Sequence, residues 1–278
     1  MHIEMGDIDV PVYVRTGGLV RATLISRPNR FLAIARLDSD NLELNAGESR
    51  PGSVKAHVAD PGRLEELLFP GAIVYLCRAK PGNARIARKT EYSLVLAEHN
   101  GILVSVDSRV PNELTYTALQ SGFFEELREY RGITRESVYL SSRFDFRLTS
   151  ENRHASDAIP AAEIPDCFVE VKSVTLIRDN IALFPDAPTA RGARHMRELA
   201  AAVSQGFRAM VIFVIQREDA EYFAPNAVMD PQFAEALCTA VSANVGVIAV
   251  KCDIAESGAI TLNKAVPVIL PSSTPHPK

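Results

Sequence analysis

Between Gly18 and Asp107 the chain is cut into short pieces by turn-forming dipeptides: Pro28-Asn29, Pro51-Gly52, Pro70-Gly71, Pro81-Gly82 and Asn100-Gly101. Proline fixes φ and has no N–H, and glycine supplies positive φ, so no long regular element runs through such points. The pieces between them have the two-residue period of strands, as in "LVRATLISR" and "RFLAIARL". "SVKAHVA", "GAIVYLCRA", "EYSLVLAEH" and "GILVSVD" follow, and one short helical stretch, "GRLEELL" (62–68), interrupts them. A half-dozen or so strands with one small helix close into a small β-barrel, and the pattern fits an OB or an SH3-like barrel alike.

The texture changes near Pro111. "NELTYTALQSGFFEELREY" has a helical period, with Asn112 as the expected N-cap and Gly122 as a break. Strands "ESVYL" and "RFDFRL", a polar loop (149–165) and the strand "CFVEVKSVTL" come next, and "RDN" turns the chain back into "IALF". "PTARGARHMRELAAAVSQG" reads as a helix from Pro188 to a stop at Gly206. "RAMVIFVIQ" is nearly continuous in apolar residues, as a strand buried on both faces is. A helix, "DPQFAEALCTAVSAN", and a strand, "GVIAVKCDI", complete the order. The expected division is an N-terminal extension (1–18), a barrel (19–108), an α/β domain (109–271) and a disordered tail (272–278).

Two of these strands carry residues suited to chemistry. Alternation in "CFVEVKSVTL" puts Glu170 and Lys172 on one face with Phe168 and Val174, and Val169, Val171 and Ser173 on the other. In "RFDF", Phe144 and Phe146 are expected to enter a core together while Asp145 faces away. The 25 residues from Asp145 to Glu170 (170 − 145) let the two strands be neighbours, with both carboxylates and Lys172 on one face. Hard divalent cations take carboxylate oxygen, so Asp145 and Glu170 are the expected ligands of Mg²⁺ or Mn²⁺. Lys172 can offset charge on a phosphoryl group, and Glu136 is the candidate third acid. An isolated Glu-x-Lys is also what a solvated ladder of Asp145 against Lys172 looks like. The order of elements weighs against the ladder: helix, three strands with an acid on the second and Glu-x-Lys on the third, helix and strand is the core order of the PD-(D/E)XK nuclease-like fold.

Two basic patterns could meet a phosphate backbone. Arg191, His195 and Glu198 recur at helical spacing with Arg194 beside them, a stripe able to approach the acid cluster and a phosphate backbone. Arg85, Arg88 and Lys89 lie in "RAKPGNARIARK", which has no acid. Both patterns also suit a plain charged surface. A net charge of −4 excludes a histone-like mode driven by bulk positive charge, though not a local basic field. Cys77, Cys167, Cys238 and Cys252 are far apart among apolar residues, as reduced thiols are, and the longest apolar run, "AMVIFVI", is too short for a bilayer. A cytoplasmic protein without a membrane partner is the expectation. His57, Asp60 and Arg63, around the turn of "AHVADPGRL", have no role that spacing reveals.

"RATLISRPNRFLA", "AHVADPGRLEELLFPG", "SRFDF", "FVEVKSVTL", "FPDAPTARGARHMREL" and "APNAVMDPQFAEAL" together resemble the sugar fermentation stimulation protein A family, from about Val20 to Leu270. The resemblance implies an OB-like N-terminal domain and a nuclease-like C-terminal domain. It also implies DNA binding linked to regulation of sugar catabolism. The matching residues are Asp145, Glu170 and Lys172, with Glu136 at the place of an upstream family Glu. Asp60 stands where many members carry Asn, Leu140 replaces a usual Gly, and loop 149–165 is longer than in many members. Two functions follow: metal-dependent phosphodiester hydrolysis, or non-catalytic DNA binding in the control of sugar (maltose-type) catabolism.

Overall fold

A computed structural model describes residues 10–14, 17–38, 52–79, 90–150 and 164–271. Arg85, Arg88, Lys89, most of loop 149–165 and the tail 272–278 lie outside them.

The punctuated region forms β2 (Leu19–Asn29), β3 (Leu32–Leu37), β4 (Val54–Val58), β5 (Ile73–Arg78), β6 (Tyr92–His99) and β7 (Ile102–Ser105). They run in the order β4-β3-β2-β5-β6-β7, and β4 also pairs with β6. That pairing closes five strands into a barrel, the strand number of an OB fold, with β7 hung on its rim. Small and branched residues such as Ala22, Ala33, Ala35, Val58 and Val74 fill the interior, with Leu64, Leu67 and Leu68 packed against them.

The second half forms α1 (Val110–Ser121), β8 (Gly132–Tyr139), β9 (Ser142–Thr149) and β10 (Cys167–Val174). A hairpin of β11 (Ile177–Arg178) and β12 (Ile181–Phe184) follows, then α2 (Ala190–Ser204), β13 (Arg208–Ile215) and β14 (Tyr222–Pro225). It ends with α3 (Pro231–Ser242), β15 (Gly246–Ile254) and β16 (Ile260–Ala265). The large sheet has the order β16-β15-β13-β10-β9-β8, with β10, β13 and β15 mutually parallel. Its β16 edge is extended by β1 (Val12–Tyr13), so part of the expected N-terminal extension is built into the sheet. The apolar run of 209–215 is the central strand β13, buried on both faces. Among the described residues no helix is long and apolar enough to cross a membrane.

Each face of the sheet has its own core. Phe146, Val169, Val171, Ile212 and Val214 pack against α1 and reach Val95 and Leu96 of the barrel. Phe144, Phe168, Val174, Phe213 and Ile215 pack against α2 and α3. Asp230 ties the two helix starts together: it caps α3 by accepting the Phe233 N–H at 2.9 Å and takes the Thr189 N–H, at the start of α2, at 2.7 Å. All four cysteines are free thiols, Cys167 and Cys252 buried and Cys77 and Cys238 half-buried.

Helix α1 differs from expectation at its start and breaks at Gly122 as expected. Its N-cap is Arg109 and not Asn112, because Pro111 belongs in the first turn, where its missing N–H costs nothing. Gly122, at φ 70°, ends it, and Glu125–Leu127 is a separate 3-10 turn.

Candidate active site

The site forms where two neighbouring strands part. β9 and β10 pair at Cys167↔Leu148, Phe168↔Arg147 and Val169↔Phe146, and the ladder stops there. β10 continues alongside β13 as far as Val174↔Ile215. Asp145 takes the place of the lost ladder: its Oδ2 accepts the Val171 N–H at 2.8 Å. A buried backbone donor needs a partner, and the carboxylate is that partner.

The strand rolls over at the same point. Phe146 is buried on the α1 side, whereas Phe144, two residues before it, is buried on the α2 side with its ring 5.8 Å from that of His195. Strict alternation would put both in one core, and the turn of the backbone at Asp145 corrects that expectation.

Glu136 does not join the site. In β8 it falls between the pairs Arg135↔Phe146 and Ser137↔Phe144, beside Asp145 in register. Its φ of 54° breaks the local alternation, and its side chain is exposed against Arg143 at 3.2 Å.

Glu170 is 4% exposed. Its Oε1 accepts from Lys172 Nζ at 2.5 Å, while Oε2 is buried without a hydrogen-bond partner. His195 Nδ1 also stands 2.5 Å from Oε1. Arg191 Nε donates to His195 Nε2 at 3.2 Å, which assigns the imidazole proton to Nδ1. Burial pushes the Glu170 carboxyl up, but Lys172 and His195 together outweigh it and hold the group below the usual carboxylate range.

Asp145 goes the other way. Burial and then the Glu170 charge push it up to about 6, against the Val171 N–H, Lys172 and the Asn112 amide. Asn112 Nδ2 donates to Asp145 Oδ1 at 2.7 Å. Two adjoining carboxylates with opposite shifts are a pattern typical of working sites.

Asp145, Glu170 and Lys172 line a cavity of about 500 Å³. Thr189 and Arg191, at the start of α2, form one wall, and Arg30, Asp60 and Gly62 of the barrel form another. The walls are joined by Asp186, whose Oδ2 accepts the N–H of Arg63 at 2.7 Å and of Leu64 at 3.2 Å. Gly62 is required here: a Cβ would lie 2.6 Å from Asp186 Oδ2 and 2.8 Å from Asp60 Oδ1. Asp60 accepts the Gly62 N–H at 2.7 Å, and burial pushes its carboxyl up to about 6. The "ADPGRL" turn, silent in the sequence, is therefore the loop that docks the barrel on the α/β domain.

Of the basic stripe on α2, Arg191 alone lines the cavity. His195 is buried behind Glu170 and not on a phosphate-facing surface, because the packed side of α2 includes it with Met196 and Leu199. Arg194 is exposed outside the cavity, and Glu198 accepts from the Ser141 hydroxyl.

The donor set fits a hard divalent cation. Among the described residues no group of three or more His, Cys, Asp and Glu side chains is placed to hold a metal. Mg²⁺, however, is commonly held by one or two carboxylates with water and substrate phosphate completing its shell. Glu170 Oε2, buried and unpartnered beside a second carboxylate, is an acceptor such a cation would satisfy.

A family model described as the sugar fermentation stimulation protein RE domain matches residues 109–258, and one described as the SfsA N-terminal OB domain matches 25–106. A sugar fermentation stimulation protein homolog of Moorella thermoacetica is 44% identical over 252 residues, 91% of this chain and 96% of that protein. A homolog of Desulforamulus reducens is 40% identical over 252 residues, 91% and 93% of the two chains. Among solved structures, that of Pyrococcus furiosus SfsA in complex with Ca²⁺ superposes with a TM-score of 0.76 at 27% identity, covering 92% of this chain and 97% of that one.

Proposed function

The chain belongs to the sugar fermentation stimulation protein family, and we propose that it is a DNA-binding protein whose α/β domain, of PD-(D/E)XK type, hydrolyses phosphodiesters with Mg²⁺ or Mn²⁺ at Asp145 and Glu170. One observation carries this reading: a buried and a half-buried carboxylate from parting strands share a cavity with a lysine, and one oxygen of the buried one has no partner. The Ca²⁺ named for the Pyrococcus furiosus relative, another hard dication, supports it.

The cation, when bound, supplies Lewis acidity toward a phosphoryl oxygen and a nucleophilic water at neutral pH. The protein's own groups position and balance charge around it. The Val171 N–H and the Asn112 amide fix the orientation of Asp145. His195 holds Glu170 from behind and is itself held by Arg191. Lys172, 12% exposed, brings an ammonium to the cavity where it offsets charge building on the phosphoryl oxygens. Arg191 meets a phosphate with its remaining N–H groups. Arg85, Arg88 and Lys89 are the proposed backbone contacts of the barrel.

Cleavage of single-stranded, duplex and branched DNA in Mg²⁺, in Mn²⁺ and in EDTA tests the proposal. Metal-dependent cleavage is expected, with Lys172→Ala slower on the order of 10–100-fold. Calorimetric titration should show Mn²⁺ binding that Asp145→Ala and Glu170→Ala abolish, and normal binding by both variants ends the case for the site. The position of Glu136 outside the site favours a second reading, DNA binding without cleavage in the control of sugar catabolism. DNA bound tightly and left intact in every metal is its result.

A further inference from the structure

The acids lie at the bottom of a slot. Glu170 is almost wholly buried and Asp145 half-buried, and the barrel's loop at 60–62 faces them across the cavity. That wall is fixed. Asp186 holds the backbone of Arg63 and Leu64, the Ser108 hydroxyl donates to Ala59 O at 2.9 Å, and Val95 and Leu96 of the barrel are buried in the core shared with α1. A slot of about 500 Å³ between walls so joined takes a nucleotide or two. It has no room for a double helix, which is stiff and displays its phosphates on the outside of a wide rod. A single strand is thin, flexible and able to carry a phosphate down to buried acids.

The barrel presents a matching surface at the slot. Arg30, exposed at the turn between β2 and β3, lines the cavity with one guanidinium nitrogen 3.2 Å from Pro61 O. Phe31 follows it, next to the cavity lining and not part of it, and is 53% exposed. Its backbone is held at both ends: its N–H donates to Asn29 Oδ1 at 2.9 Å and its carbonyl accepts from the Val58 N–H at 3.0 Å. Arg27 braces the same turn, donating to the carbonyls of Arg30 and Gly62 at 2.9 Å each. An exposed ring on a braced turn next to a cation suits base stacking, which is the sequence-tolerant term in single-strand binding.

We propose that the slot receives an unpaired polynucleotide strand, with Phe31 stacked on a base and Arg30 and Arg191 holding phosphates from the two walls. This rests on the phosphodiester reading and adds the form of its substrate.

Fluorescence anisotropy in EDTA, with a labelled single-stranded DNA and the blunt duplex of the same sequence, tests it. The protein should prefer the single strand by tenfold or more, on the order of one stacked base. Phe31→Ala should weaken single-strand binding about tenfold and leave duplex binding unchanged, and Phe31→Tyr should restore it. Arg30→Ala should weaken binding and lower its salt dependence. Equal affinity for duplex, or an undiminished single-strand affinity in Phe31→Ala, overturns the inference. If Mg²⁺ then drives cleavage of blunt duplex at equal rates in the wild type and Phe31→Ala, the inference falls while hydrolysis stands. Single-strand binding that depends on Phe31 without cleavage in any metal upholds the inference and removes hydrolysis, and no binding or cleavage of any oligonucleotide removes both.

Discussion

Asp166 and Glu170 flank the first half of β10, four residues apart and equally buried at 4% exposure, yet they are held in different ways. At Asp166, Arg147 Nε and Nη2 reach Oδ2 at 2.8 and 2.5 Å, and Arg147 lies over the Phe168 ring at 5.9 Å. β10 is paired there on both edges, with Leu148 of β9 and Arg208 of β13 opposite Cys167. At Glu170 the β9 edge has gone, Lys172 and His195 crowd one oxygen, the other is unpartnered, and Asp145 adds a second negative charge. Burial of a charge therefore does not mark the site. An excess of negative charge, where a sheet opens, does.

The largest expected effect tests that contrast directly. Glu170→Ala should lower Mn²⁺ affinity and any metal-dependent cleavage on the order of 10²–10³-fold. Asp166→Asn should leave Mn²⁺ affinity within about twofold, since Asp166 stands outside the cavity. Equal losses in the two variants, read by titration calorimetry, would erase the distinction between the two carboxylates. The next effect belongs to the matched pair. Arg147→Ala takes its guanidinium away from the buried Asp166 carboxylate, and breaking a fully buried pair costs about 3–5 kcal/mol. The Arg147 side chain is 38% exposed, so about 1–2 kcal/mol is expected in urea unfolding after solvent screening. A variant as stable as the wild type would show that Asp166 needs no such match.

The opened end should respond in the opposite sense. Asp145, with an ordinary value of 3.8 raised to about 6, binds a proton more tightly folded than unfolded. Its cost to folding is therefore absent below about pH 4, grows through pH 5 and is complete above about pH 6. That cost is about 3 kcal/mol at most at pH 7. Asparagine removes it but mismatches one of the two donors, Val171 N–H or the Asn112 amide, for about 1 kcal/mol. Asp145→Asn should thus be more stable than the wild type by about 1–2 kcal/mol at pH 7 in EDTA, and no more stable at pH 4. Thermal melts at the two pH values decide it, and a variant less stable at pH 7 would mean that Asp145 is matched as Asp166 is.

These contrasts also show what the sequence made legible. Most elements of the α/β half could be read because hydrophobic period and Pro/Gly punctuation are local, β13 among them as a nearly continuous apolar strand, but β14 and β16 were not expected. Glu170 and Lys172 could be placed on one face because β10 stays regular against β13 through Val174. The same reasoning failed for Phe144 and Glu136, since it assumes an alternation that the roll at Asp145 and the left-handed backbone at Glu136 both break. The approach of the α2 stripe to the acids could be read from its spacing, but not that His195 would be buried against Glu170 and away from any phosphate. The docking of Arg63 on Asp186 spans 123 residues, and no local period encodes a contact of that kind.

The smallest effect separates the supports of Asp145 from each other. Of the groups favouring its charged form, the Val171 N–H is strongest, Lys172 next and the Asn112 amide weakest. Asn112 sits in the first turn of α1, so its deletion leaves the parted strands and the helix start in place. Asn112→Ala should raise the Asp145 pKa, and the acid midpoint for Mn²⁺ binding should move up by about half a pH unit, with under about 1 kcal/mol lost in stability. Arg147→Ala, which touches the matched carboxylate, should lose more stability and leave that midpoint where it was. If Asn112→Ala leaves the midpoint unmoved while binding stays intact, the backbone donor alone sets the charge on Asp145. The opening of the sheet at Val171, and not the helix beside it, would then be what tunes the site.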